Sequence, residues 1–341
     1  MLHLVGSPTD AFHAELSRLY AQDCLTATAD PGRYEVLLAH VDPDGRWRFP
    51  AGLDAAALAA AEPLPVARAL ERVVALAPDV MLPQMFCRPG MTHYRALFDV
   101  LGIPYVGNAA DVMALTADKA QARAVVAAGG VRVPAGEVLR RGEEPTLDPP
   151  VVVKPVAADN SVGVALVTDP AQLEHALEAA WAHGDRALVE AFVAPGREVR
   201  CGILVREGEL VGLPLEEYRV DGVAAPIRGP ADKLARTRDG ALRLVAKNSP
   251  DAWIVDVEDP LTEVVWAAAR RCHEALGCRH YSLFDFRIDA DGQPWFLEAG
   301  LYCSFAHQSV VTTMAAAAGI PVADLLQIAL AETLPAERSL S

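Results

Sequence analysis

Over the first hundred residues short apolar runs alternate with segments of helical period, and no other feature narrows the fold so far. LHLVGS (2–7), YEVLLAHVD (34–42) and ALAPDVMLPQMF (75–86) read as buried strands, with IPYVGN (103–108) as a fourth, shorter one. Residues 10–29 and THYRALFDVLG (92–102) repeat apolar side chains at helical spacing, the second closing on a glycine. Such strands, separated by helices, predict a parallel α/β unit, because parallel strands need crossovers that cover both faces. Its expected span is residues 1–115.

The rest of the chain has another rhythm. A helix starting near ALTADK ends at Gly129–Gly130. PPVVVKPV (149–156) and RALVEAFV (186–193) read as strands around the helix AQLEHALEAAWAHG, giving a small α+β unit over 116–196. A third unit, 197–341, opens with REVRCGILVREGELVGLPLEEY, read as two strands joined by EGE. Residues 219–252, rich in charge, Pro and Gly, read as a mobile loop that closes a site. After the helix TEVVWAAARRCHEALG come SLFDFRID, the tight turn DG and its partner strand QPWFLEA. Two helices end the chain.

A chain of 341 residues, 52% hydrophobic, can bury several such cores. The formal net charge of −15 leaves no basic face for nucleic acid. No apolar run reaches 18 residues and MLHLVGSPTD lacks a signal-peptide pattern, so no membrane partner and a cytoplasmic setting with six reduced cysteines are expected. Cys272, His273, Cys278 and His280 match no zinc spacing and read as core cysteines and solvated histidines. No P-loop, G-x-S-x-G, H-E-x-x-H or G-x-G-x-x-G motif occurs.

The chemistry concentrates elsewhere. The turn Asp291–Gly292 makes SLFDFRID and PWFLEA neighbours, so Asp285 and Glu298 can face each other across the ladder. Two carboxylates in apolar strands need a cation, and hard oxygen donors suit Mg²⁺ bridging phosphates; edge charges facing water are the alternative. Lys154 ends three consecutive valines and calls for an anion, unless it snorkels from an edge. DNSVG (159–163) could cradle phosphate with its N–H groups. Glu190 and Glu198 end and begin successive strands, a connector able to offer backbone to a base and a carboxylate to a ribose.

ALTADK, VVVKP, DNSVG, ALVEAFV, GREV, FDFRID and FLEAG follow one another as in the ATP-grasp ligases, and the pattern most resembles the D-alanine–D-alanine ligase branch from about Leu97 to Leu330. The resemblance implies an ATP-grasp fold with a preceding α/β domain, and ATP and Mg²⁺ as cofactors. It implies that Lys119 and Lys154 hold phosphates and that Ser161, Val162 and Gly163 form a flap over them. Glu190 with the Ala191, Phe192 and Val193 backbone becomes the adenine hinge, Glu198 the ribose carboxylate, and Asp285 and Glu298 the metal carboxylates. Ser309 falls beside the second substrate, and Lys233 reaches the γ-phosphate from the loop. Many relatives in this branch are dimers, so a homodimer is expected by analogy.

The departures fall on the substrate side. Gly300 stands where the family has an asparagine, Cys303–Ser304 where it has Pro-Gly, and Leu283 where it has an arginine. No acidic residue in LVGSPTDAFHAE replaces the one that holds the first alanine's ammonium group. LSRLYAQDCLTATADP, LPQMFCRPGMTHYRALFD, GREVRCGI, HYSLFDFRID and EAGLYCSF resemble the ligases that build mycosporine-like amino acids. This implies that the substrates are small molecules, mycosporine-glycine and an amino acid such as serine or threonine. In such a pocket Tyr302, Ser304 and Phe305 could line the acceptor's ring, and Arg95 or Arg287 could bind a carboxylate.

Overall fold

The computed structural model describes residues 1–158, 161–194, 196–220, 227, 234–236, 242–244 and 252–334. It is built around three main sheets.

The first sheet grows from β1 (Leu2–Gly6), every residue of which is buried. After α1 (Ala11–Ala27) come β2 (Leu37–Val41), β3 (Trp47–Arg48), α2 (Ala55–Ala60), α3 (Val66–Leu76) and β4 (Met81–Pro83). The strand order is β3-β2-β1-β4, with β1 parallel to both β2 and β4. The Asp10 side chain starts α1 by accepting the His13 N–H at 2.8 Å, satisfying an otherwise orphaned donor of the first turn. Two further helices, α4 (Arg88–Met91) and α5 (His93–Leu101), follow; α5 stops at Gly102, whose φ of 67° suits a residue without a Cβ.

IPYVGN is not a strand. Only Tyr105 bridges to Met81, and the backbone then turns at Gly107 (φ 94°) into a polar dock. The His280 ring accepts the Gly107 N–H at 2.8 Å. Buried Asn108 donates to Tyr281 O (2.8 Å) and Leu301 O (3.2 Å) and accepts from Arg279 N (2.8 Å). These bonds pin the end of the first sheet to the third.

Helices α6 (Ala110–Thr116) and α7 (Lys119–Ala128) lead to the second, antiparallel sheet. It comprises β5 (Gly136–Arg140), β6 (Val151–Pro155), β7 (Ala165–Val167) and β8 (Arg186–Ala191), in the order β5-β8-β6-β7, with α8 (Leu173–Trp181) packed on it.

The third sheet begins with β9 (Arg197–Arg206). Where two strands were expected over 197–218 there are three: β10 (Glu209–Gly212) and β11 (Glu216–Tyr218) both pair with β9. Within 219–252, two short strands, β12 (Leu234–Arg236) and β13 (Leu242–Leu244), pair with each other, and β14 (Ala252–Ile254) joins β11. Lys233 lies outside the described residues. After α9 (Leu261–Leu276) the hairpin β15 (Tyr281–Ile288) and β16 (Pro294–Ala299) completes the order β14-β11-β9-β15-β16. Helices α10 (Val310–Ala317) and α11 (Val322–Thr333) close the described chain.

Alternation along β9 and β15 decides which face of this sheet carries chemistry. Val199, Cys201, Ile203, Phe284, Phe286 and Ile288 point into a core shared with α7 and α9. On the opposite face Leu204, Leu213 and Leu283 are covered by α10 and α11 through Met314, Leu325 and Leu326. Beyond those helices the same face carries Glu198, Arg200, Asp285 and Arg287. All six cysteines are free. His273 and His280 are 4% and 6% exposed, so they are core residues instead of solvated ones. No single helix among the described residues is long and apolar enough to cross a membrane.

Candidate active site

A cleft between the second and third sheets is lined by Lys119, Lys154, Ser161, Glu190, Ala191, Phe192, Val193, Glu198, Asp285, Arg287 and Glu298. Residues from four separated segments therefore meet in one place. Asp285 and Glu298 are register partners on β15 and β16, beside a bulge between Asp285 and Phe286. Their side chains are 13% and 35% exposed. Among the described residues no group of three His, Cys, Asp or Glu side chains could hold a metal alone. A facing pair of carboxylates could hold a cation whose remaining donors come from phosphate oxygens.

The lysines approach from the other wall. Asp118 caps α7 by accepting the Gln121 N–H at 2.9 Å, and an ion pair with Arg186 at 2.6 Å secures it. Hydrogen bonding to these partners, against the opposing pull of burial, holds the Asp118 carboxyl below the usual range. That cap sets the direction of Lys119, whose Nζ donates to Ala158 O and lies 3.7 Å from Glu298 Oε2. Lys154 answers its buried position with an anion: its Nζ is 2.5 Å from Glu190 Oε2, and Arg123 Nε is 3.1 Å from Glu190 Oε1. The flap turns at Ser161 (φ 56°) and Gly163 (φ 69°). A Cβ on Gly163 would lie 2.9 Å from both His183 and Pro155, so only glycine fits there. Asp159 and Asn160 lie outside the described residues.

The N–H groups of Ala191 and Phe192 are already given to Ala135 O (2.8 Å) and Pro150 O (3.0 Å), so neither reaches a base. Phe192 presents its ring instead, under Arg287 at 5.7 Å.

A family model described as "D-ala D-ala ligase C-terminus" matches residues 135–331, more than half of the chain. A D-alanine--D-alanine ligase of Citrifermentans bemidjiense is 32% identical over 239 residues, covering 68% of this chain and 71% of that one. The chain belongs to the D-alanine–D-alanine ligase family. It has the ATP-grasp fold and is an ATP-dependent ligase that forms C–N bonds. Among solved structures, the VanG D-Ala:D-Ser ligase from Enterococcus faecalis superposes with a TM-score of 0.75 at 21% identity, covering 96% of this chain and 97% of that one. The ATP complex of the Bacillus anthracis D-alanine--D-alanine ligase gives 0.70 at 19% identity, covering 97% and 96%.

Several residues expected around this ligase's substrate lie elsewhere. Arg95 is 2% exposed and donates to Asn108 O at 2.8 Å inside the dock, out of reach of a substrate carboxylate. Arg287 lines the cleft and donates to Glu198 Oε2 at 2.6 Å from the facing strand. Phe305 is fully buried against Tyr281, with ring centroids 5.8 Å apart, and is core instead of pocket wall. Ser304 is buried and its carbonyl accepts from Gln84 Nε2 at 2.9 Å. Ser309 precedes α10, its Oγ 3.9 Å from Cys303 Sγ. Tyr302 is 46% exposed and continues an aromatic run, 5.7 Å from Phe86, which is 5.1 Å from Tyr20.

The sequence reading missed Arg123, Arg200, Tyr20 and Phe86. Arg200 was within reach: two residues from Glu198 on a strand, it must share that face. Arg123 and the aromatics depend on long-range packing, which no local pattern records.

Proposed function

We propose that this ligase joins the amine of a free amino acid, such as serine or threonine, to mycosporine-glycine, with ATP as phosphoryl donor and ADP and phosphate as products. The observation that carries this reading is the aromatic run Tyr20–Phe86–Tyr302, which starts four residues beyond Glu298 and suits a planar, conjugated ring. Leu283 and Gly300, which leave that end of the site without an arginine or an asparagine, support it.

The chemistry balances as two steps. The ring carbonyl oxygen of mycosporine-glycine, made electron-rich by the conjugated enamine nitrogen, takes the γ-phosphoryl group from ATP and releases ADP. The amino acid's nitrogen then adds to that ring carbon, loses its protons and expels phosphate, leaving an imine. Lys119 and Lys154 take up phosphate charge. Arg123 matters here, because Glu190 keeps a cation when Lys154 turns towards phosphate. Glu198, braced by Arg287, faces the ribose, and the Phe192 ring faces the base. Mg²⁺, held by Asp285 and Glu298, would offset phosphate charge when bound; the facing carboxylate pair and the nearby lysine fit that role. The solved Bacillus anthracis ligase of this fold is a complex with ATP, which supports ATP as the nucleotide.

The test is incubation with ATP, Mg²⁺, mycosporine-glycine and a panel of amino acids. The expected result is amine-dependent ADP release with a red-shifted ultraviolet product. The 32% identity to a D-alanine--D-alanine ligase favours a second reading, ligation of two D-alanines. ADP release with D-alanine alone, and none with mycosporine-glycine, would establish that one in place of the first.

A further inference from the structure

The cleft-facing side of the third sheet carries its charges in a row. Reading across the strands, Glu216 on β11 is opposite Arg200 on β9, Arg200 is opposite Asp285 on β15, and Asp285 is opposite Glu298 on β16. The order of charge is acid, base, acid, acid. Arg200 donates its Nε–H to Asp285 Oδ1 at 2.8 Å, and its side chain is only 12% exposed. Its guanidinium lies 5.2 Å from the centre of the Tyr218 ring, and the Tyr218 hydroxyl donates to Glu216. Burial opposes the charge on Arg200, but Asp285, Tyr218 and Glu216 outweigh it and keep the guanidinium protonated.

One oxygen of Asp285 is therefore occupied, and the other is left for the cleft that Asp285 lines. A carboxylate that already carries a buried guanidinium attracts a divalent cation less strongly than one that does not. On the far side, Lys119 stands 3.7 Å from Glu298, so both members of the pair have a cation beside them. Gly300, two residues beyond Glu298, adds no side-chain donor. We propose that Arg200 is the positioning residue of the cation site. It presents a single oxygen of Asp285, and its charge keeps the carboxylate pair from collecting a divalent cation before the nucleotide's phosphates arrive. This rests on the reading above, in which Asp285 and Glu298 hold the cation.

The experiment is Mn²⁺ binding followed by electron paramagnetic resonance, with and without ADP, which needs no turnover. Wild type is expected to bind Mn²⁺ measurably only with ADP. Arg200→Gln, which removes the charge, is expected to bind Mn²⁺ without nucleotide about tenfold or more tightly than wild type. Arg200→Lys keeps the charge and is expected to remain nucleotide-dependent. In turnover assays kcat should fall for Arg200→Gln while its requirement for added metal does not rise, a split that general loss of structure does not produce. If Arg200→Gln does not fold, the double variant Arg200→Gln/Glu216→Gln removes the stranded acid as well, and its nucleotide-free affinity must still exceed that of wild type. Unchanged nucleotide-free affinity in the neutral variants, with Asp285→Asn abolishing binding in the presence of ADP, overturns the role of Arg200 alone. Full Mn²⁺ binding by Asp285→Asn with ADP overturns the cation-site reading and this proposal with it.

Discussion

Gly300 and Glu298 sit two residues apart and predict opposite outcomes. Glu298→Ala is expected to abolish ATP turnover while the thermal midpoint stays within a few degrees of wild type, since the side chain is 35% exposed; ADP release and a melting curve check both. Gly300→Asn is expected to fold normally. A Cβ there meets only Leu283 Cδ2, at 3.8 Å, and the Gly300 N–H keeps its bond to Leu283 O at 2.8 Å. The added amide should lower the Mg²⁺ concentration giving half-maximal turnover, and a metal titration reads it. The facing of Asp285 and Glu298 was legible in the sequence because Asp-Gly marks a tight hairpin. The turn holds three residues, Ala290 to Gly292, inside the Asp289–Gln293 bond, and the bulge between Asp285 and Phe286 restores the register that sets the two carboxylates opposite. Arg95 and Phe305 were misplaced for the converse reason. Residue type names a chemical capacity, but burial and partners decide whether it faces a ligand. For Arg95 that partner is Asn108 O, in the polar dock that ties the first sheet to the third.

At the scale of elements the clearest case is the turn carrying Gly107 and Asn108. Its apolar start reads as a strand, yet its worth lies in three polar bonds made by one side chain. Asn108→Ala would leave two carbonyls and one N–H without partners in a buried place, at about 1 kcal/mol or more for each. A loss of about 3 kcal/mol in urea denaturation is expected, whereas Asn108→Asp should keep only the bond from Arg279 N and fall nearly as far. The extra strand within 197–218 was hidden for a related reason. β11 is three residues long, too short for a period to emerge, and its place is set by pairing on both edges, with β9 and β14. The longer helices and the β15–β16 hairpin showed in the sequence because caps, period and turn chemistry agree there.

Across the described molecule, three of the four buried histidines, His3, His273 and His280, set the acid limit. Burial pushes His3 and His280 down to about 3 and His273 to about 4. Each is neutral when folded and titrates near 6.5 when unfolded, so the unfolded chain gains protons first as pH falls. Their contribution is therefore intact above pH 6.5 and is lost progressively down to pH 3 to 4. Between pH 7.5 and 5.5 each should lower stability by about 1.4 kcal/mol, roughly 4 kcal/mol together. Urea denaturation at the two pH values measures the sum. His3→Leu should be less pH-sensitive by one such increment, since neither His3 ring nitrogen has a partner to lose.

The ties between sheets have a mechanical consequence. Besides the dock at Asn108, Gln84 reaches Ser304, and Asp23 pairs with His307 at 2.8 Å, so the first and third sheets are bolted together at several points. Among the described residues the second sheet meets its surroundings through bonds such as Lys119 N to Val156 O and the Arg186–Asp118 pair. The molecule is thus a bench vise with one stationary jaw. Tyr20, Phe86 and Tyr302 all stand on the bolted side, so the proposed ring-binding wall would keep its shape if the second sheet moved. Loading order follows from that asymmetry: the ring acceptor can seat itself with equal ease before or after the nucleotide.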